Sequence, residues 1–395
     1  MNWLSEDLPG IGGHYKETPE DFQVDEIPRY SCCGEGEHLY LWIEKNNTST
    51  RELLHQLSRS LNLKEREIGY AGMKDSRALT RQMVSVPLAK LDRVKNLEIK
   101  GCRILSTDRH TNKLRLGHLA GNRFTITLRG TCPEAIPRTE AIFERLQQIG
   151  VPNFFGEQRY GVLGNSAHLG ELLLLQRYEE FCTELMGDPE LIRNPAWKQA
   201  ATCYRKNDLQ GACAALPNKM RDELRLLKTL MKPTSHREAV KTLHRNLVRL
   251  FLSATQSAFF DQILAKRMPA INQLRDGDIA VKHVNGACFR VEQASTEQAR
   301  ADLFEISPTA PLFGSKVMLA EGQQGQLEMG TLDKMGLSLE SWKTEIGLNM
   351  PGERRALRVL LAEAQIKAAG KDFITLSFIL PKGSYATSVL KEIIK

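Results

Sequence analysis

The sequence predicts an α+β fold in two domains, on three observations. Strand-forming apolar runs lie near both ends of the chain, at Phe22 to Val24, Leu39 to Glu44 and Phe373 to Leu380. From His168 to about residue 266 the pattern is mostly helical, with apolar residues recurring on one face. A length of 395 residues leaves room for two separate cores.

Composition narrows the class. A hydrophobic share of 42% and a charged share of 26% are ordinary for a globular protein. The longest apolar runs, Leu172 to Leu175 and Phe373 to Leu380, are too short to span a bilayer. Glu6 and Asp7 interrupt the first ten residues, so they do not read as a secretory signal. A soluble, cytoplasmic chain with no membrane contact is expected. Cys32, Cys33, Cys102, Cys132, Cys182, Cys203, Cys213 and Cys288 form no C-x-x-C pair, which predicts free thiols and no zinc site. The net charge of +7 favours acidic partners. Between Arg51 and Arg129 cations outnumber acids by roughly two to one, a local excess that suits RNA but also describes a solvated basic face.

Taken in order, Gly10 to Gly13 form a lead-in that is not a dinucleotide loop, since no strand precedes them. Pro19 starts a turn, and Phe22 and Val24 alternate with Gln23 and Asp25 as a strand. Leu39 to Glu44 is a second strand. Thr50 is expected to cap a helix whose Leu53, Leu54, Leu57 and Leu61 share one buried face. Lys113 to Leu128 reads as a hairpin, with Gly121 and Asn122 at its turn. Ile142, Phe143, Leu146 and Ile149 mark a helix ended by Gly150 and Pro152. Arg245 to Met268 is a buried helix with a broad apolar face that includes Leu250. The stretch from Arg275 to Gly352 is richer in Gly and Pro and suggests strands and loops. At the end come a strand from Phe373, a turn at Gly383 and a short helix capped by Ser or Thr.

The segment from Gly69 to Val86 is the one all this surrounds. It follows an amphipathic helix, ends in a strand over Met83 to Val86, and holds a polar turn of Lys74, Asp75, Ser76 and Arg77. A carboxylate between cations stays ionised at neutral pH. On a turn between packed elements it suits a nucleophile or base, although a turn Asp also commonly bonds its own backbone.

The string Ala71-Gly-Met-Lys-Asp75-x-x-Ala78-x-Thr80 resembles the active-site motif of the TruD family of tRNA pseudouridine synthases. Five more blocks resemble that family in the same order. They are Lys16 with Pro19 to Phe22, Val24 and Glu26; Gly121, Asn122 and Phe124; Pro152 to Gly161; Phe251 to Asp261; and Leu380 to Glu392. Two positions depart from the family pattern: Asp261 stands where Asn is usual, and Tyr385 where Phe is usual.

The resemblance implies a pseudouridine-synthase core with a central mixed, largely antiparallel sheet flanked by helices. It implies a large inserted α/β domain at 150–360, with the core split between 1–149 and 361–395. The implied reaction is isomerisation of uridine to pseudouridine in tRNA, at uridine 13, with no metal or organic cofactor and no obligate protein partner. Asp75 would be the nucleophile or base, and Lys16 the cation facing it. Phe22, Phe124 and Tyr385 would contact or stack on the base, Asn122 would meet its mixed polar edge, and Lys74 would join the substrate pocket. Arg77 and Arg159 would take RNA backbone, a structural salt bridge being the other reading of Arg159. By residues alone, Phe22 fits core packing and Asn122 fits a turn. A non-catalytic RNA-binding or RNA-folding protein on the same scaffold is the rival reading. A methyltransferase would need a Gly-rich loop after a first strand, and none is found.

Overall fold

The computed structural model describes residues 3–74, 76–95 and 97–395. After a single 3-10 turn at Pro19–Asp21 come β1 (Phe22–Pro28), β2 (His38–Asn46), α1 (Thr50–Leu61), β3 (Gly69–Tyr70) and β4 (Leu79–Pro87). They are followed by α2 (Leu91–Lys95), β5 (Cys102–His110), β6 (Leu119–Arg129) and α3 (Ala135–Ile149). A two-residue strand, β7 (Val151–Pro152), opens a helical run: α4 (Ser166–Leu174), α5 (Tyr178–Met186), α6 (Pro195–Arg205) and α7 (Leu209–Ala215). That run continues through α8 (Arg221–Leu230), α9 (His236–Lys241) and the long α10 (Arg245–Arg267). Next are β8 (Ile279–Lys282), β9 (Cys288–Arg290), α11 (Ala294–Asp302), β10 (Ile306–Leu312) and α12 (Gly322–Asp333). Last come β11 (Glu353–Ala356), β12 (Arg358–Val359), β13 (Ala362–Ala369), β14 (Phe373–Pro381) and α13 (Ala386–Ile394). No helix among the described residues is long and apolar enough to cross a membrane.

The chain forms two compact units, Trp3–Val151 with Val359–Lys395, and Pro152–Arg358. The first is built on a sheet ordered β13-β14-β6-β1-β4-β2-β5, with β3 added on β4. β1 and β4 run parallel and their neighbours pair antiparallel. Strand alternation turns Leu39, Leu41, Ile43, Val84 and Val86 to one face, where Leu53, Leu54, Leu57 and Leu61 of α1 cover them. Each such side chain contributes about 1.5–3 kcal/mol by leaving water. Further along the sheet, Phe143 of α3 meets Phe378 of β14 edge-on, with ring centroids 6.4 Å apart. The two ends of the chain are tied together. Glu392 accepts from the Leu4 amide (2.9 Å), the Ser5 amide (3.0 Å) and the Ser5 hydroxyl (2.6 Å).

In the second unit, α10 is the central helix. Phe251, Leu252, Phe259, Phe260, Ile263 and Leu264 are buried, and α10 packs on α4, β10 and α12. Its antiparallel sheet is ordered β11-β10-β8-β9. The fully buried Arg267 forms a two-pronged ion pair with Asp278, at 2.9 and 3.0 Å.

Five expectations change. The N-cap of α13 is Tyr385, without a side-chain cap, and not a Ser or Thr. Ser49 caps α1, its hydroxyl accepting from the Glu52 amide at 3.1 Å, and Thr50 is the first helical residue. Gly121 and Asn122 are not a turn. They lie inside β6, which pairs with β1 and β14 so that 113–128 is no hairpin, and the turn before it falls at Arg115 to His118, where Gly117 has φ +83°. Gly121 is needed for closeness: a Cβ there would sit 2.4 Å from the Leu380 carbonyl of β14. Leu250 is 48% exposed, because its position on α10 faces away from the core. The stretch after Arg275 contains helices α11 and α12 as well as strands. Gly322, Gly325 and Gly330 disguise α12, yet its Gln324, Glu328 and Thr331 are buried on one face.

Candidate active site

Asp75 lies outside the described residues, but its neighbours define a site. Pairing puts Val24 beside Thr80 in β4, and Glu26 opposite Asn122 in β6, which in turn faces Leu380 of β14. Two-residue alternation therefore lines one sheet face with Phe22, Val24 and Glu26 from β1, and Asn122 and Phe124 from β6. The face is apolar at Phe22 and Phe124 and polar at Glu26 and Asn122. Lys74, in the loop before β4, folds into the polar end. Its ammonium sits 2.8 Å from Glu26 Oε2 and donates to Asn122 Oδ1 at 2.7 Å. The Lys74 and Glu26 side chains are 5% and 1% exposed, so this ion pair is shielded from solvent. The other Glu26 oxygen accepts from the Met83 amide at 3.2 Å.

The backbone leading into Asp75 is held as well. Thr50 Oγ1 accepts from the Lys74 amide at 2.9 Å and donates to Gln82 Oε1 at 2.8 Å. Gln82 in turn donates to the Gly72 carbonyl, at 3.5 Å. Thr50 and Gln82 are fully buried, so neither bond competes with water. Nearby, the Gly117 amide donates to the Ala71 carbonyl (2.8 Å), and Lys382 Nζ donates to the Gly117 carbonyl (3.1 Å). The 115–118 turn thus connects the start of the motif to the loop that follows β14. Tyr30 steadies it through a 2.8 Å hydrogen bond to His118 Nδ1.

The aromatic residues divide. Phe22 and Phe124 are 4% and 7% exposed, and their rings meet edge-on at 6.3 Å. Phe124 also packs on Phe378 at 5.6 Å, so most of each ring is spent on the core. Lys16, whose backbone has φ +69°, places its ammonium 4.1 Å from the centre of the Phe22 ring. Tyr385 is half-buried at the start of α13, four residues after Pro381, and Pro381 pairs with Gly121 beside Asn122. Arg77 is exposed. Arg159 belongs to the other unit and is engaged there, donating to Ser257 Oγ at 2.9 Å and to Ser253. At the entry to β1, burial pushes the Asp21 carboxyl up. Hydrogen bonds from Arg129, at 2.7 and 3.3 Å, outweigh that and leave it below the ordinary carboxylate value.

The family model for tRNA pseudouridine synthase D (TruD) matches residues 1–393. The chain belongs to the TruD family. It is 50% identical to the tRNA pseudouridine synthase D of Syntrophotalea carbinolica, covering 100% of this chain and 99% of that one. It is 37% identical to that of Thermus thermophilus, over 100% of this chain and 92% of the relative. A crystal structure described as a putative TruD from Methanosarcina mazei superposes with a TM-score of 0.83 at 28% identity, covering 100% and 96% of the two chains. The fold is therefore that of TruD, with its mixed central sheet flanked by helices.

Within this TruD chain, Asp261 has a physical account. Its carboxylate accepts from the Phe155 amide (3.1 Å) and the Tyr160 hydroxyl (2.6 Å). Both contacts are donors, which an acceptor-only side chain satisfies. Sequence reading missed Thr50 and Gln82 as supports and named Glu26 only as part of a motif. A polar residue at a core position of a strand, such as Glu26 or Gln82, was the available signal.

Proposed function

We propose that this TruD chain isomerises uridine to pseudouridine in tRNA, with position 13 as the target and the cytoplasm as its place of action. The N1–C1′ bond breaks, the uracil turns in place, and C5 bonds to C1′, so atoms balance without any co-reactant. The observation that supports this best is the buried Glu26–Lys74–Asn122 group, set in the chain directly before Asp75. Asp75 acts as nucleophile or base. Lys74 is a positioning residue, its ammonium already occupied by Glu26 and Asn122. Asn122 spends one acceptor position on Lys74, which leaves its NH2 as the donor for a uracil carbonyl.

Base flipping costs a few kcal/mol, and stacking on one aromatic ring returns roughly 1–3 kcal/mol. With Phe22 and Phe124 largely buried, Tyr385 takes the main stacking role and Phe124 forms the wall behind Asn122. Lys16 remains the candidate cation for the nucleophile. Arg77 takes the RNA backbone. Arg159 instead braces α10 through Ser253 and Ser257.

The test is pseudouridine formation in a tRNA pool by wild type and by Asp75→Asn. The variant is expected to bind tRNA and form no pseudouridine, and retained turnover would refute the assignment. Tyr385→Ala should lower turnover far more than tRNA binding.

A further inference from the structure

The Pro152–Arg358 unit carries one strongly basic stretch that the site chemistry does not use. Between Lys219 and Arg249, nine lysines and arginines stand against three carboxylates. Those carboxylates are occupied or hidden. Asp222 accepts from Arg225 at 3.2 Å and from the His244 amide at 2.9 Å, Glu238 holds Lys241 at 2.7 Å, and Glu223 is half-buried. Lys219, Arg221, Lys228, Lys232 and Arg249 are exposed and make no ion pair among the described residues.

Their arrangement is ordered. On α8, Arg221, Arg225 and Lys228 recur at i, i+4 and i+7, and Lys232 follows at i+11 just past the helix end. That spacing places the four on one face, opposite the fully buried Leu226 and Leu227. An exposed helix ordinarily mixes both signs along such a face. Here Arg221 also opens the helix, where the backbone dipole disfavours a cation. Asp222 joins this end of α8 to the start of α10 through the His244 amide.

We propose that this α8 face binds the phosphate backbone of tRNA. The proposal rests on tRNA being the substrate. A stripe of about 16 Å faces several phosphates of a duplex, which presents one charge per about 1.7 Å of axis. Charged residues are depleted from the cores of protein–protein interfaces and abundant at nucleic-acid ones, which favours RNA over an acidic protein.

The test compares full-length chains: wild type, the triple variant Arg221→Gln/Lys228→Gln/Lys232→Gln, and the charge-keeping Arg221→Lys/Lys228→Arg/Lys232→Arg. Binding of unmodified tRNA and pseudouridine kinetics are followed over a salt series around 0.15 M. The triple Gln variant should raise Kd and KM at least tenfold and flatten the log Kd against log salt slope by about 2–3. Its kcat at saturating tRNA and its melting temperature should match wild type, and the charge-keeping variant should bind normally. Unchanged Kd and slope in the Gln variant overturn the proposal and leave the face to an acidic protein. Loss of binding in both variants overturns it as well, since charge would not be the cause. Failure of the activity reading is distinguishable: wild type would then form no pseudouridine, whatever the α8 variants do to binding.

Discussion

Replacing Glu26 by Gln tests whether the buried ion pair organises the site. The change keeps the size of the side chain and an oxygen for the Met83 amide, but removes the charge opposite Lys74. At 2.8 Å and an effective dielectric near 20, the direct attraction is about 6 kcal/mol. Part of that only offsets the desolvation of both ions. Removing one partner of a buried pair typically costs about 3–5 kcal/mol, because the other charge is left unbalanced. Against a total stability of about 5–15 kcal/mol, this is a large share. For a unit of this size, each kcal/mol moves the melting point by roughly 2–4 °C, so Glu26→Gln should melt roughly 10 °C below wild type. Lys74→Met added to it removes the orphaned ammonium, and the double variant should recover most of the loss while staying inactive. Thermal and urea unfolding of wild type, both single variants and the double variant close the cycle. A Glu26→Gln protein that melts within 2 °C of wild type, or a double variant no more stable than the single, refutes the reasoning.

Other expectations follow from the same geometry. Thr50→Val leaves the Lys74 amide and Gln82 Oε1 without partners, at about 1–3 kcal/mol for each buried group. Turnover should fall on the order of 100-fold with tRNA affinity held, and Thr50→Ser should restore it. Equal losses in Val and Ser variants would show that packing, not the hydroxyl, is at work. Arg129→Gln removes the strongest of the interactions that hold the Asp21 carboxyl below its ordinary value, leaving the Thr18 amide. A depressed carboxyl adds stability above its unfolded pKa and loses it as pH falls through the folded one. Wild type should therefore outlast the variant at neutral pH, and their melting curves should converge on acidification from about pH 4 downward. A gap that persists at low pH would assign the effect elsewhere. Gly121→Ala should cost about 1–3 kcal/mol by prising β6 from β14, read by urea unfolding.

Much of this fold was legible because local patterns and tertiary structure agree. The leucines of α1, the alternating Phe22 and Val24, and the run from Phe373 all appear where their periodicity places them. The errors share one cause, namely that local chemistry was read where distant backbone decides. Gly121 and Asn122 look like a turn because both tolerate positive φ, yet Gly121 is small to admit the Leu380 carbonyl and Asn122 faces Glu26. Thr50 looks like a cap, but Ser49 takes that role and frees its hydroxyl for a loop 24 residues away. Phe22 and Phe124 share the sheet face of Glu26 and Asn122 and are nearly buried on it, a degree of burial that alternation alone does not reveal. No local signal in the sequence pairs Glu26 with Lys74, since that contact exists only once β1 lies against β4.

That pairing also explains why the first unit needs both ends of the chain. β1 lies between β4, which it meets in parallel, and β6, which it meets antiparallel. Glu26 and Asn122 are therefore cross-strand neighbours, and the Lys74 ammonium bridges them. Asn122 is itself fixed by Leu380 across β6 and β14, and β14 is made only after the Pro152–Arg358 unit has passed. The Gly117 turn depends on Lys382 in the same way. Residues from Val359 onward thus brace a site begun by β1: a fragment ending at Val151 keeps Glu26, Lys74 and Asn122 but lacks the β14 partner of Asn122 and the Lys382 contact to Gly117. A connection of that kind tolerates a large insertion well, because lengthening a closed loop adds entropy cost only logarithmically.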